Sequence, residues 1–391
     1  MEKQEIRAAA GGAAVVGVAF GMARYAYGLT LPDMQAEFDL SEQLSGLVAS
    51  ATFVGYLIGL LGVPVLVARR GPRAPTSVGG VCGALGCAMV ALSPNAAVLA
   101  TGAVLAGSAA GWVWAPYSDV LRAVADPRHR PTLLAVVTTG TGVGLVGLGA
   151  LGLLAPLVSW RLTWAGIAVA AAVAATLNLR LVPALPPPER QEGGQRLHLG
   201  RLLGRLLVPL LYTVTYFVAI TVYFTYASDA AEEAGLADWA PALVFALIGL
   251  GGLVAFWTGR MTAALGPAGV GAASLGVVGL ALGGLGLASG APLVLGSAVV
   301  LGAGFMVGSS VLAIWTAHVE PERPGTAFTV ALVVGAVTSI VTPAVTGSLV
   351  PSAGLGTVLV SSGAVAVVSA VALAAGLPVG AAVRRTRART T

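Results

Sequence analysis

Arg24 is the residue with the most chemistry to account for. It stands inside an apolar run that ends near Leu31, a setting in which an ionisable side chain is rare and marks a functional site by default. A guanidinium stays charged and presents a planar fork of donors that matches a carboxylate or a phosphate with two bonds at once. On a helix its face carries Phe20 and Tyr27, with Gly17, Gly21 and Gly28 leaving room beside them. The expected role is to hold the negative charge of a solute. The plainer alternative is an arginine that ties backbone carbonyls or reaches outward toward Asp33.

A second set of residues supplies aromatic surface and hydroxyls. Tyr212, Tyr216, Tyr223 and Tyr226 fall within about 80° of one another on an α-helix. Phenols pointing into lipid would lack partners, so the stripe is expected to face the interior and offer flat apolar area with hydrogen bonds to a bound solute. An interfacial aromatic belt would account for Tyr226 and for Tyr212 but not for the middle pair. Ser108 and Trp112 share a helix face with Thr101 and Asp119, and Ser309 shares one with Gly302, Phe305 and Thr316. The substrate-binding set read from the sequence is therefore Arg24, Tyr27, Phe20, Ser108, Trp112, Tyr212, Tyr216, Tyr223 and Ser309.

No enzyme signature accompanies them. His129, His198 and His318 lie in separate polar stretches without metal spacing, no Ser or Thr has a base beside it, and no phosphate-binding loop is present. Cys82 and Cys87 are five residues apart, about 140° around a helix, and read as core thiols that cannot bridge. Neither a cofactor nor a metal is expected.

The elements that must position these residues follow from composition. Of 391 residues, 57% are hydrophobic and only 9% charged, whereas soluble domains run near 25% charged. The solvent is lipid. Lys3 and Arg7 ahead of an apolar run resemble a secretory leader, but no soluble domain follows, so the run is taken as a first membrane helix. Apolar runs read against turns and charges predict twelve transmembrane helices, at 8–31, 43–68, 73–93, 96–121, 131–156, 161–184, 205–228, 238–260, 266–289, 292–319, 325–349 and 353–382. The expected class is an all-α integral membrane protein with two six-helix halves, 1–184 and 205–391, joined by a linker at 185–204 that carries Pro186 to Arg201. Pro116, Pro156 and Pro343 are expected to kink or end helices.

Charge placement supports that count. All Lys and Arg except Arg24 and Arg161 fall in alternate loops or the termini, while Asp33, Glu37, Asp39, Glu42, Asp229, Glu232, Glu233 and Asp238 fall in the other loops. By the positive-inside rule both termini are cytoplasmic. The scattered basic charges suit anionic lipid headgroups and not nucleic acid. One lysine among 21 basic residues, with abundant Ala, Gly, Val and Arg, points to a bacterial source and hence to a bacterial plasma membrane. The fifth helix holds Gly140, Gly142, Gly144, Gly147, Gly149 and Gly152, a pattern for close backbone approach in lipid and for bending or sliding there.

Twelve helices in two halves with a basic central loop resemble the major facilitator superfamily. The stretch Pro64 to Arg73 keeps Leu66, Arg69, Gly71 and Arg73 of that family's loop motif but has Pro64 for its leading glycine and Ala68 for its aspartate. Gly259 and Arg260 through Gly266 repeat the spacing, with Ala263 in the aspartate slot, as an internal duplication would leave. The family's fourth-helix arginine falls at Ala103 ahead of Gly107, and is missing, whereas Trp160-Arg161-Leu162-Thr163-Trp164 matches its sixth-helix opening. The first helix, Gly21 to Pro32, followed by Leu40-Ser41, Gly46 and Gly55-Tyr56-Leu57-Ile58-Gly59, is similar to the YbfB/YjiJ-type bacterial permeases.

The resemblance implies a secondary transporter working by alternating access, expected as a monomer; a small organic solute, anionic and aromatic or amphipathic, is expected from its docking between Arg24 and the tyrosine stripe. Asp33, Arg69, Arg73, Asp119 and Arg260 are the expected gating or coupling residues, with Asp119 replacing the lost loop aspartates in a latch with Arg69 or Arg73. Uniport, exchange with a counter-solute and proton coupling through Asp33 or Asp119 remain open, as do import and efflux. A non-transporting sensor or accessory subunit is the competing class.

Overall fold

A computed structural model describes residues 2–153, 158–187, 199–321 and 324–376. The chain is all-helical. The first crossing is built from α1 (Lys3–Val16), a π-helical stretch Gly17–Ala23 and the short α2 (Ala26–Leu29). It is followed by α3 (Leu31–Phe38), α4 (Glu42–Arg70), α5 (Arg73–Ala91), α6 (Ala96–Val113), α7 (Pro116–Val124), α8 (Arg130–Gly152) and α9 (Trp160–Leu181). Beyond the linker come α10 (Leu199–Glu233), α11 (Ala240–Gly251), a 3-10 stretch Gly252–Trp257, α12 (Thr258–Gly286), α13 (Ala291–Val319), α14 (Pro324–Ala353) and α15 (Leu355–Ala374).

Among the described residues eleven helical runs are long and apolar enough to cross a bilayer. One of them, Ala240–Gly286, has 47 residues, about 70 Å of helix against roughly 30 Å of hydrocarbon. It divides at Gly266, whose φ of 72° interrupts the helix before Pro267. The chain thus has about eleven to twelve crossings. Large side chains left outside, such as Ile58, Val143, Leu280 and Val368, are more than half exposed, as befits a surface bathed in lipid tails.

Side-chain caps set several boundaries. Ser41 accepts from the Leu44 N–H, Asn95 from Val98 and Ser159 from Arg161, each satisfying a donor that the first helical turn leaves free. The acids Asp33, Glu37, Glu42, Glu232 and Asp238 gather at one end of the bundle, and Arg69, Arg73, Arg122, Arg130, Arg205 and Arg260 belong to the opposite helix ends.

Helices before and after the linker meet closely toward the acidic end. Gly46 of α4 lies on Pro343 and Gly347 of α14, Gly149 of α8 on Ala242 and Ala246 of α11, and Gly28 on the Phe224 carbonyl. Small residues permit these approaches, and van der Waals contact drives them where burial from water cannot.

Several expectations are corrected. The first helix starts at Lys3 instead of residue 8 and is broken at Arg24 and Tyr25; the run expected at 96–121 is split before Pro116, where the ring cannot supply a backbone N–H. The seventh, expected to end at residue 228, continues to Glu233 and takes Asp229 out of the loop. Pro343 lies within a continuous α14. Pro156, the linker from Pro188 through Arg196 to His198, Glu322, Arg323 and the C-terminal arginines lie outside the described residues.

Candidate functional site

Arg24 sits at the fault in the first crossing. Its N–H donates to Ala19 O, five residues back, at 3.2 Å, and the Tyr25 N–H donates to Met22 O, three residues back, at 3.1 Å. Passing from a wide to a tight turn redirects the two side chains, and such π insertions recur at functional sites. The fault is held from behind by α8, where Gly17 and Gly21 lie against Gly140 and Gly144, backbone on backbone.

The guanidinium is surrounded by rings, and no acid pairs with it among the described residues. Its carbon lies 4.4 Å from the centre of Tyr56, 4.9 Å from Phe53, 5.5 Å from Phe20 and 5.9 Å from Tyr25, all within cation–π range. Nε and Nη1 are buried and have no hydrogen-bond partner among the described residues. The phenols of Tyr25 and Tyr56 approach the group without closing a bond to either nitrogen.

Arg24 lines a cavity that comprises and opens onto about 600 Å³ of free space. The walls come from both sides of the linker, Phe20, Tyr56 and Trp114 from one, Tyr216, Phe305 and Phe328 from the other. Toward the acidic end Tyr25 stacks on Phe224 with ring centres 3.8 Å apart, and elsewhere on the rim Trp114 meets Phe328 edge to face at 5.0 Å. Hydroxyls are few: Thr138, Thr141 and Ser309, with the phenols. The Tyr216 hydroxyl is already engaged with Phe305 O and with Ser309 Oγ at 2.9 Å.

The structure therefore brings together Arg24, Phe20, Tyr216 and Ser309. Tyr27 lines a smaller space on the other side of Arg24, beside Thr52, Thr221 and Thr225, and donates to Ser45 O at 3.0 Å. The tyrosine stripe is divided. Tyr212 bonds Ser274 at 3.0 Å and Gly308 O at 3.2 Å, and Tyr223 bonds Ser297 at 2.7 Å, so serines of α12 and α13 satisfy these phenols away from the cavity wall. Ser108 donates to Leu105 O at 2.7 Å, and Trp112 packs on Gly59, Gly62 and Gly79; both belong to helix packing. Tyr25, Phe53, Tyr56, Trp114 and Phe328 were missed, and Phe305 was placed on the face of Ser309 without being counted in the binding set. Tyr25 and Tyr56 lie within the Gly21-to-Pro32 and Gly55-to-Gly59 stretches quoted above, which was their available signal.

The gating set also separates. Asp119 pairs with Arg122 one turn on, at 3.6 Å, while Arg73 donates to Leu179 O at 3.4 Å and Val182 O at 3.2 Å at the end of α9. The latch of Asp119 with Arg69 or Arg73 is not formed; the closer cation wins. Arg69 and Arg260 are exposed. Asp33 lines a separate cavity at the acidic end with Glu232 and Asp238. Burial first, then the charges of Asp238 and Glu37, push its carboxyl above the ordinary range.

A bundle of membrane helices around a cavity walled from both sides of the linker is an arrangement suited to passing a solute. The sequence profile of the Major Facilitator Superfamily matches residues 13–343, and the chain belongs to that superfamily as a multi-pass membrane protein. A crystal structure of a D-xylose-proton symporter superposes with a TM-score of 0.75 at 17% identity, over 93% of this chain and 95% of that one. The xylose transporter XylE from E. coli, in a partially occluded inward open conformation, gives 0.74 at 15% identity over 96% and 98%. Nucleoside transporter NupG gives 0.71 at 13% identity over 96% and 99%. At these identities the likeness is one of fold. A search among curated protein sequences finds no match.

Proposed function

We propose that the chain is a secondary transporter in which two six-helix halves, 1–184 and 205–391, rock about the Arg24 cavity and pass a small aromatic or amphipathic carboxylate across a bacterial plasma membrane, both termini cytoplasmic. The observation that carries this reading is the guanidinium of Arg24, buried among rings with two nitrogens unpaired. Such a charge is costly in the membrane, about 2.5–3.5 kcal/mol on insertion scales, and a bound carboxylate supplies the missing acceptors.

The remaining wall argues for the rest of the solute. Solved structures of similar fold are of transporters for xylose and nucleosides, ligands rich in hydroxyls. Here rings and aliphatic side chains dominate, with three short hydroxyls beside the phenols, which suits an apolar body. Alternating access is supported by the close packing between segments toward the acidic end, which a rocking motion would exchange for packing at the basic end.

A thermal-shift screen of the purified protein with benzoate- and cinnamate-type acids beside their amides tests the proposal. Acids should raise the melting temperature, by mass action worth about 2.7 kcal/mol at a hundred times Kd, and matching amides should not. Equal stabilisation by the amides would refute the anionic assignment.

A further inference from the structure

Arg24, Tyr25 and Ile220 line two spaces at once. The larger is the cavity described above. The smaller, about 400 Å³ of free space, lies toward the acidic end, because Gly28, Ala49 and Thr225 in its wall are nearer that end than Phe20, Tyr56 and Tyr216 of the larger one. The two are stacked along the axis of the bundle with a guanidinium between them. Beside it Tyr25 closes the partition by stacking on Phe224, ring centres 3.8 Å apart.

The smaller space offers donors to an anion. Thr221 and Thr225 are 4% and 7% exposed, and Thr221 is bonded to Ser339 at 3.0 Å in a pair where either hydroxyl can donate, so the proton of Thr221 is free when Ser339 gives its own. Thr52 spends its proton on Ala49 O at 2.7 Å and serves only as wall. None of the lining residues is an acid.

The backbone between the spaces has slack. A wide turn at Arg24 followed by a tight one at Tyr25 holds an extra residue in the crossing, and moving that fault by one residue swings a side chain about 100° around the axis. On its α5 and α9 side the stretch faces a third space of about 230 Å³, lined by Val18, Ala19 and Ala23 and, across from them, by Gly83 and Ala171. Atoms beside a void have few partners there, so turning breaks little packing. Arg24 and Tyr25 are consecutive on the fault and turn together.

We propose that the smaller space is a second carboxylate seat, and that one roll of the first crossing unstacks Tyr25 from Phe224 and carries the guanidinium, with its anion, from one seat to the other. In the smaller seat Arg24 and the hydroxyls of Thr221 and Thr225 hold the carboxylate; in the larger, Arg24 holds it among rings. This rests on the reading of Arg24 as an anion site.

The experiment uses the full chain and radiolabelled benzoate, with affinity from equilibrium dialysis in lipid nanodiscs and uptake into proteoliposomes. Thr221→Val with Thr225→Val should keep affinity, set by the larger seat, within about twofold and cut uptake at least about tenfold through the lost hydrogen bonds to a charged group. Thr221→Ser with Thr225→Ser should restore uptake. Gly83→Val, which fills the third space and lines neither seat, should show the same split. Uptake unchanged in the valine pair, affinity falling in step with uptake, or a serine pair as slow as the valine pair would each overturn the second seat and leave the Arg24 site standing. Gly83→Val moving benzoate at the wild-type rate, or wild type binding it without uptake, would overturn the roll. Wild-type protein that does not bind benzoate would overturn both readings.

Discussion

The guanidinium carbon of Arg24 lies 4.4 Å from the centre of the Tyr56 ring, so the charge inside the membrane-spanning bundle is met by the negative face of an aromatic ring where an acid would ordinarily stand. Phe53 at 4.9 Å adds a second ring from the same helix. Rings lower the cost of the charge without using up its hydrogen-bond donors, which keeps the fork available to a ligand.

Tyr56→Phe should therefore leave the melting temperature close to wild type, and Tyr56→Leu should destabilise by about 2 kcal/mol through the lost cation–π contact. Thermal unfolding in detergent reads the difference. Equal losses in both variants would assign the effect to the hydroxyl.

Gly144 meets Gly17 and Gly21 backbone to backbone behind the Arg24 fault. Gly144→Ala should force α8 away from the first crossing at about 1–3 kcal/mol, whereas Gly283→Ala, where an added Cβ meets open space, should cost nothing and gain up to about 1 kcal/mol of helix propensity. Matching melting curves for the two variants would count against the contact.

The acidic end holds two carboxyls with opposite pH signatures. Burial pushes Glu37 up, but hydrogen bonds from Arg161 and Trp160 outweigh it and leave the carboxyl below the ordinary range. Its contribution is complete above the unfolded-state value and is lost as pH falls through the lowered folded one. Asp33 is raised by burial and by Asp238 and Glu37, so the folded state gains stability as pH falls through that raised value. At pH 7 Glu37→Gln should lower the melting temperature and Asp33→Asn should raise it. Both effects should fade by about pH 3, where free carboxyls are protonated. The reverse order at pH 7 would contradict the assignment.

Hydropathy reveals the helices because each must be continuously apolar to cross lipid, and Arg24 was legible because a charge in such a run stands out. The surroundings of Arg24 were less so. A wheel drawn at a constant angle carries Tyr27 beside Arg24 and omits Tyr25, whereas the π stretch and the break at Tyr25 shift the phase. Tyr212 and Tyr223 do share a face with Tyr216, yet Ser274 and Ser297 on other helices decide where their hydroxyls go, and a single helix cannot reveal that. A helix end drawn at residue 228 leaves Asp229 in a loop, although the acids that follow it are themselves helical up to Glu233.

Titration calorimetry of the most stabilising aromatic carboxylate against purified wild type, Arg24→Lys and Arg24→Ala bears most directly on the role of Arg24. Replacing the fork by a point charge should weaken binding about 10- to 150-fold, the equivalent of roughly 1.5–3 kcal/mol for a charged hydrogen bond, and Arg24→Ala should show no detectable heat while still folding in the membrane. A well-folded Arg24→Ala protein that binds the acid with wild-type affinity would contradict the anion site and return Arg24 to a structural role.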